Sequence, residues 1–196
     1  NDYVGALAGV VLNGQINKVF VGISGDIRGS NYIGAVVGRI YNTPVGEVSA
    51  LRTLGVADSN ARVIGSGSYV GGISGRMDTT ALRNVRTDLS VQGGSYTGGV
   101  SGYMSGNVDF GINFTFVPRG FSEDIQSTAL SVAGGSYSGG LFGQAWGGTG
   151  ANNCYATANV TGSGERVGGL VGNLESGSYR NVGSTAATVT GSGYYT

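Results

Sequence analysis

Apolar positions along this chain come in short segments that end in glycine. One run reads "VGGLVG", "SYRNVGST" and "AATVTGSG" in succession, another "SGGLFG", "NNCYAT" and "ANVTGSG", and a third "VGGISG", "ALRNVRT" and "DLSVQGG". Val, Thr, Tyr and Ile dominate them, which suits a pleated, half-buried surface, and glycine clusters divide them. No apolar stripe with helical spacing competes over a full window. The pattern predicts two or three short strands per unit and no helix.

The units repeat. "YVGALAG" from Tyr3, "YIGAVVG" from Tyr32, "YVGGISG" from Tyr69, "YTGGVSG" from Tyr96, "YSGGLFG" from Tyr137 and "RVGGLVG" from Arg166 align, and a further copy starts at Tyr194. The starts lie 29, 37, 27, 41, 29 and 28 residues apart. The basic unit is therefore about 28 residues, with insertions of roughly 9 and 13 in the two long intervals. Pro44 and Pro118 lie in those intervals. A proline cannot donate to a strand ladder, so residues 42–53 and 117–126 are expected to be loops leaving the repeat.

Such an array predicts an all-β fold, a parallel β-solenoid of about six coils over residues 1–196. Its coils stack at about 4.8 Å into a rod roughly 29 Å long. A closed, propeller-like ring is the alternative, although propeller blades usually need four strands and about 40 residues. Four positions after each repeat start stands an aliphatic residue: Leu7, Val36, Ile73, Val100, Leu141, Leu170. That column is expected to be core, each buried side chain contributing roughly 1.5–3 kcal/mol. Tyr3, Tyr32, Tyr69, Tyr96, Tyr137 and Tyr194, with Arg166 between the last two, form a candidate stacking ladder. It either stabilises parallel in-register strands or offers aromatic faces to sugar rings.

Composition narrows the function. The 40 glycines and 2 prolines fit neither collagen nor a linker, since apolar residues are spread throughout. The 11 basic and 11 acidic residues cancel, so no field exists to hold nucleic acid, and no apolar run is long enough to span a membrane. Ten of the cations are Arg, and Lys18 is the one Lys. Cys154 is the single cysteine. It is either a small buried apolar residue or the donor of an intermolecular disulfide in an extracellular assembly.

Catalysis finds little support. The sequence has no histidine, which excludes a Ser-His-Asp triad and an H-E-x-x-H zinc motif, and no cluster has metal-ligand spacing. The glycine runs lack G-K-[ST], so they are not phosphate loops. No cofactor is expected. Glu123 and Asp124, with Asp88 and Asp109 on neighbouring coils, could form a carboxylate cleft for polysaccharide cleavage, or a solvated charged loop. Two N-x-[ST] sequons make Asn113 and Asn159 candidate glycosylation sites, provided that the protein is extracellular and Asn159 faces outward.

"NNCYATANVTGSGERVGGLVGN", residues 152–173, resembles the GLUG repeat, whose signature is a G-G-L-V-G-like element beside an N-C-Y-A-T-x-N-V-like strand. The third, fourth and sixth repeats keep the first element and lose parts of the second, and the first two have Gly-Ala for Gly-Gly. The resemblance carries no catalytic residue. It implies a surface-exposed or secreted protein of bacteria or archaea, such as an adhesin, a coat or a region beside immunoglobulin-cleaving metallopeptidases.

The repeat phase at the two termini is that of a chain which another copy would continue. Either the segment belongs to a longer array, or subunits stack end to end and Cys154 ties them laterally. The expected function is a structural subunit of an extracellular sheath, coat or filament. The alternatives are an adhesin module whose loops or ladder bind a glycan or host protein, and a carboxylate-based polysaccharide-active enzyme.

Overall fold

The computed structural model describes residues 2–52, 61–106, 121–129, 131–186 and 188–193, with backbone alone at 121–124. The chain winds as a parallel β-solenoid, and each coil carries four strand segments. In the coil that opens at Tyr69 these are Val70–Gly71, Ser74–Asp78, Leu82–Thr87 and Ser90–Gln92, which define four faces. The extra segment arises because "VGGISG" is not one strand. It bends after Gly71, where the Gly72 and Ile73 N–H groups donate to Gly99 and Val100 of the next coil at 3.1 and 2.9 Å.

On the second face Ala8–Leu12, Val37–Tyr41, Ser74–Asp78, Ser101–Ser105, Phe142–Trp146 and Val171–Leu174 stack in chain order. Every pairing is parallel and joins adjacent coils, for example Met77↔Met104 and Met104↔Ala145. A propeller pairs strands within a blade, so the ring alternative does not describe this chain.

Register relocates both insertions. Ile16↔Val45 through Ile23↔Arg52 are offset by 29 residues, whereas Ile27↔Val63 is offset by 36. The extra residues of the first long interval thus fall between Arg52 and Arg62. Most of the expected loop 42–53 is strand: Val45–Arg52 is an eight-residue strand of the third face, and residue 53 lies outside the described residues. Pro44 sits at the corner just before it, where no ladder donor is needed, and its carbonyl accepts the Ile16 N–H at 3.0 Å. Likewise Asp78↔Ser105 is offset by 27 and Leu82↔Ser122 by 40, so the second insertion lies between Ser105 and Phe121. Residues 121–126 of the second expected loop belong to the strand Phe121–Ser127. Pro118 lies outside the described residues.

The core is a set of columns along the rod axis. Val36, Ile73, Val100 and Leu141 are buried in one, and Ile40, Met77, Met104 and Ala145 in another. Val48, Val85, Ile125 and Cys154 make a third under the third face. Glycine is required where coils come closest: a Cβ on Gly99 would strike the Gly140 carbonyl oxygen and the Ser127 hydroxyl. Asn13, Asn42 and Thr79, in the left-handed region, turn the corner between the second and third faces, while Lys18, Glu47, Asn84, Asn153 and Asn181, also left-handed, form a column that kinks the third face itself. Asparagine tolerates that region better than most side chains.

Both ends of the described rod are open. Leu7 is 51% exposed, whereas Ile73, two coils along in the same column, is fully buried. Leu12, Phe20, Leu174 and Val189 are exposed at the same two ends.

Candidate functional site

The first corner and the second face carry the ladder residues, Arg76, Tyr103 and Trp146, while Phe20, Tyr155, Arg83 and Arg86 are exposed on the third face. Each ladder residue is itself the corner: Tyr32, Tyr69, Tyr96, Tyr137 and Arg166 have φ between 54° and 65°. This conformation costs a non-glycine residue roughly 1–3 kcal/mol and turns the side chain away from the core. The next residue, Ile33, Val70, Thr97 or Ser138, is consequently fully buried while the ring stays half outside. Nothing in the "GGSY" and "SGSY" contexts signals a left-handed tyrosine, so the sequence pattern alone does not reveal it.

The rings stack with centroids 4.8 to 4.9 Å apart from Tyr3 through Tyr137. Interplanar angles fall from 25° at Tyr3–Tyr32 to 4° at Tyr96–Tyr137. Arg166 continues the column, its guanidinium carbon 5.3 Å from the Tyr137 centroid. Tyr194 lies outside the described residues. At this spacing no sugar ring fits between neighbours, so both faces of Tyr32, Tyr69 and Tyr96 are taken. Saccharide stacking on the inner ladder is therefore excluded, and only ring edges and hydroxyls face solvent.

Beside the ladder, Tyr103 packs edge-on to Tyr69 and Tyr96, with centroids 6.0 and 6.1 Å away. Arg76, in register with Tyr103, holds its guanidinium 4.6 Å from that ring and 5.4 Å from Tyr69. Its Nε donates to Asp78 at 2.9 Å, Arg39 Nη2 donates to the same carboxylate at 3.0 Å, and Ser105 Oγ at 3.1 Å. Asp78 is thus a buried carboxylate whose partners come from three coils. Burial, and then nearby tyrosines, push Tyr96 above the ordinary phenol range; burial does the same to Tyr103 against the opposing pull of Arg76.

Farther along the same face stands Trp146, exposed at the end of Phe142–Trp146. Gln144 Nε2 donates to Glu175 Oε1 at 3.1 Å, and Asn173 Nδ2 to the same oxygen at 3.4 Å. Repeat spacing does not single out this group, although a lone Trp beside two glycines is a visible signal.

The remaining candidates disperse. Cys154 is fully buried in the third-face column, its Sγ 3.2 Å from the Asn152 carbonyl oxygen. Its burial accords with the small apolar residue of the two readings, and a bridge to a second chain would require the coil to open. Glu123 and Asp124 are consecutive residues of a strand, not a charged loop, with Glu123 in register with Arg83 and Asn152. Asp88 is engaged by Arg52, through the backbone N–H at 2.7 Å and Nε at 3.3 Å. Asp109 and Asn113 lie outside the described residues. Asn159 is exposed on the strand Asn159–Gly162, where its Oδ1 accepts the Thr188 N–H at 3.1 Å. Among the described residues no helix is long and apolar enough to cross a membrane.

Comparison with solved structures places the fold. A candidate immunoglobulin A1 protease from Bacteroides ovatus superimposes with a TM-score of 0.53 at 19% identity. The match covers 95% of this chain and 66% of that one. At this identity the likeness concerns the fold, and the chain spans about two thirds of the neighbour's length. No protein-family model matches the sequence, and no curated protein is significantly similar to it.

Proposed function

We propose that this chain is a structural element of a bacterial or archaeal cell-surface or extracellular assembly, a non-enzymatic rod of the GLUG-repeat kind that stacks on further copies of itself. The observation that carries the reading is the match between the two open coils. At equal distances from Tyr3 and from Arg166 stand Val4 and Val167, Leu7 and Leu170, Val11 and Leu174, Ile16 and Tyr179, Val19 and Val182. Each pair extends a core column, so the last coil of one copy laid on the first coil of the next would cover Leu7 and Leu174 together. Parallel pairing across that junction would satisfy edge N–H and C=O groups, which otherwise template uncontrolled association.

A head-to-tail contact of this kind is heterologous and builds a filament or sheath unless its rotation closes a ring. The surface location draws support from the repeat resemblance and from the solenoid shared with a protein named for immunoglobulin cleavage. In this reading the solenoid is scaffold, and whatever chemistry that neighbour performs is not carried by the rod. The test is Leu7→Lys, which places a charge in the junction column. Light scattering should give extended species for the parent and single rods for the variant; equal distributions would refute end-to-end stacking.

A further inference from the structure

We propose that Trp146 and the groups around it bind a linear polysaccharide lying along the rod, a site separate from both the tyrosine ladder and the rod ends. Trp146 is the only tryptophan, and it is 46% exposed. Unlike the ladder rings, its indole has no stacking partner among the described residues. The two residues after it, Gly147 and Gly148, turn at φ 73° and 75° and bring no side chain over it. Leaving about half of an indole in water forgoes burial that other aromatics of this chain obtain.

Its surroundings are polar and fixed. Gln144, two residues earlier on the same face, is only 9% exposed, and it anchors Glu175, which follows Leu174 and so lies beside Trp146 in the next coil. Asn173 holds the same Glu175 oxygen, and Ser176 Oγ accepts the Gly148 N–H at 2.9 Å. A flat apolar surface edged by amides, a carboxylate and a hydroxyl complements a pyranose, with its C–H face on one side and hydroxyls around the rim. A protein partner would instead call for an aromatic centred in a wider apolar patch. Because the strand is paired on both sides, the groups are ordered before the ligand arrives.

Register extends the site into a track. Trp146 pairs with Ser105, Ser105 with Asp78 and Asp78 with Tyr41, which is 42% exposed. Two exposed aromatics therefore share one column, three coils or about 14 Å apart. The polar Ser105 and the buried, cation-held Asp78 lie between them. This spacing suits a chain of several sugar units running parallel to the axis.

The single tryptophan reports directly on occupancy. Titration with cellohexaose, xylohexaose, chitohexaose and mannohexaose should give a saturable change in Trp146 emission with at least one of them. By calorimetry, Trp146→Ala should weaken that ligand at least tenfold while the unfolding midpoint holds, since the ring is not core. Tyr41→Ala should weaken the hexamer and leave the matching disaccharide unaffected. Unchanged emission with all four hexasaccharides at millimolar concentration would overturn the proposal, as would full-strength binding by Trp146→Ala. A hexamer and disaccharide equally affected by Tyr41→Ala would overturn the track.

Discussion

Arg166 occupies the place of a tyrosine in the ladder, with the same left-handed backbone, φ 61°, as Tyr137, φ 59°, and with its guanidinium over that ring. The corner thus dictates a backbone shape and an outward direction, and the side chain has only to stack. Arg166→Tyr should therefore leave stability unchanged within about 0.5 kcal/mol, whereas Arg166→Ala should lose about 0.5–1 kcal/mol of cation–π and packing contact. Urea denaturation of both variants checks this; equal losses would mean that the stacking at this position contributes nothing.

Close approach between coils makes a sharper demand. A Cβ on Gly99 meets the Gly140 carbonyl oxygen and the Ser127 hydroxyl, backbone and side chain that cannot both retreat. On Gly46 it meets only the end of the Asn17 side chain, 3.2 Å away. Gly99→Ala should destabilise the rod by about 3 kcal/mol, the upper end for overpacking, and Gly46→Ala by less than about 0.5 kcal/mol. Comparable midpoints for the two variants would contradict the packing described here.

Much of this architecture is legible in the order of residues. The aliphatic column through Ile73 and Val100 follows from spacing alone, and stacking it leaves few architectures besides a solenoid. Pro44 misleads, because a proline at a corner and a proline in a loop leave the same mark on a sequence; only the register of Val45–Arg52 against Ile16–Ile23 separates them. The ladder is visible as a column, but its direction is not, since parity along "YVGGISG" assumes a flat strand and the left-handed corner breaks it. The Asp78 network is assembled across three coils, and no local pattern joins Arg39, Arg76 and Ser105.

Acid should loosen the first corner of the fourth face. Asp26 accepts Arg62 Nη2 at 3.0 Å, and that hydrogen bond, with the nearby charges of Arg62 and Arg28, holds its carboxyl below the ordinary aspartate range. Because the folded state prefers the ionised form, this stabilisation is present above the unfolded aspartate pKa and is lost as pH falls through the lower folded value. Asp26→Asn should flatten part of the drop in melting temperature below about pH 4, modestly, because the pair is close to solvent. Parallel melting curves for parent and variant across that range would dismiss the contribution.

Base should act on the ladder. Burial raises Tyr96 and Tyr103, so the neutral phenols are favoured in the fold, and the associated stability persists below the ordinary tyrosine pKa and disappears as pH climbs through the raised values. Absorbance titration should resolve a class of tyrosines ionising above about pH 10, coincident with loss of strand signal in circular dichroism. A single ionisation wave at the ordinary value, with the fold intact, would be inconsistent with a packed ladder.

Cys154 offers an independent check on the core. Being fully buried, it should react with a thiol reagent only when the coil opens, and Cys154→Ala should cost about 1–2 kcal/mol. Rapid modification of the native protein would place the sulfur at the surface and reopen the lateral bridge.

The most direct measurement is electron microscopy of the purified protein over a range of concentrations, with and without reductant. Six coils make a rod of about 29 Å. Coil-on-coil stacking should give unbranched rods of constant width, many times that length, that grow with concentration and ignore reductant. Single rods at every concentration would contradict end-to-end assembly.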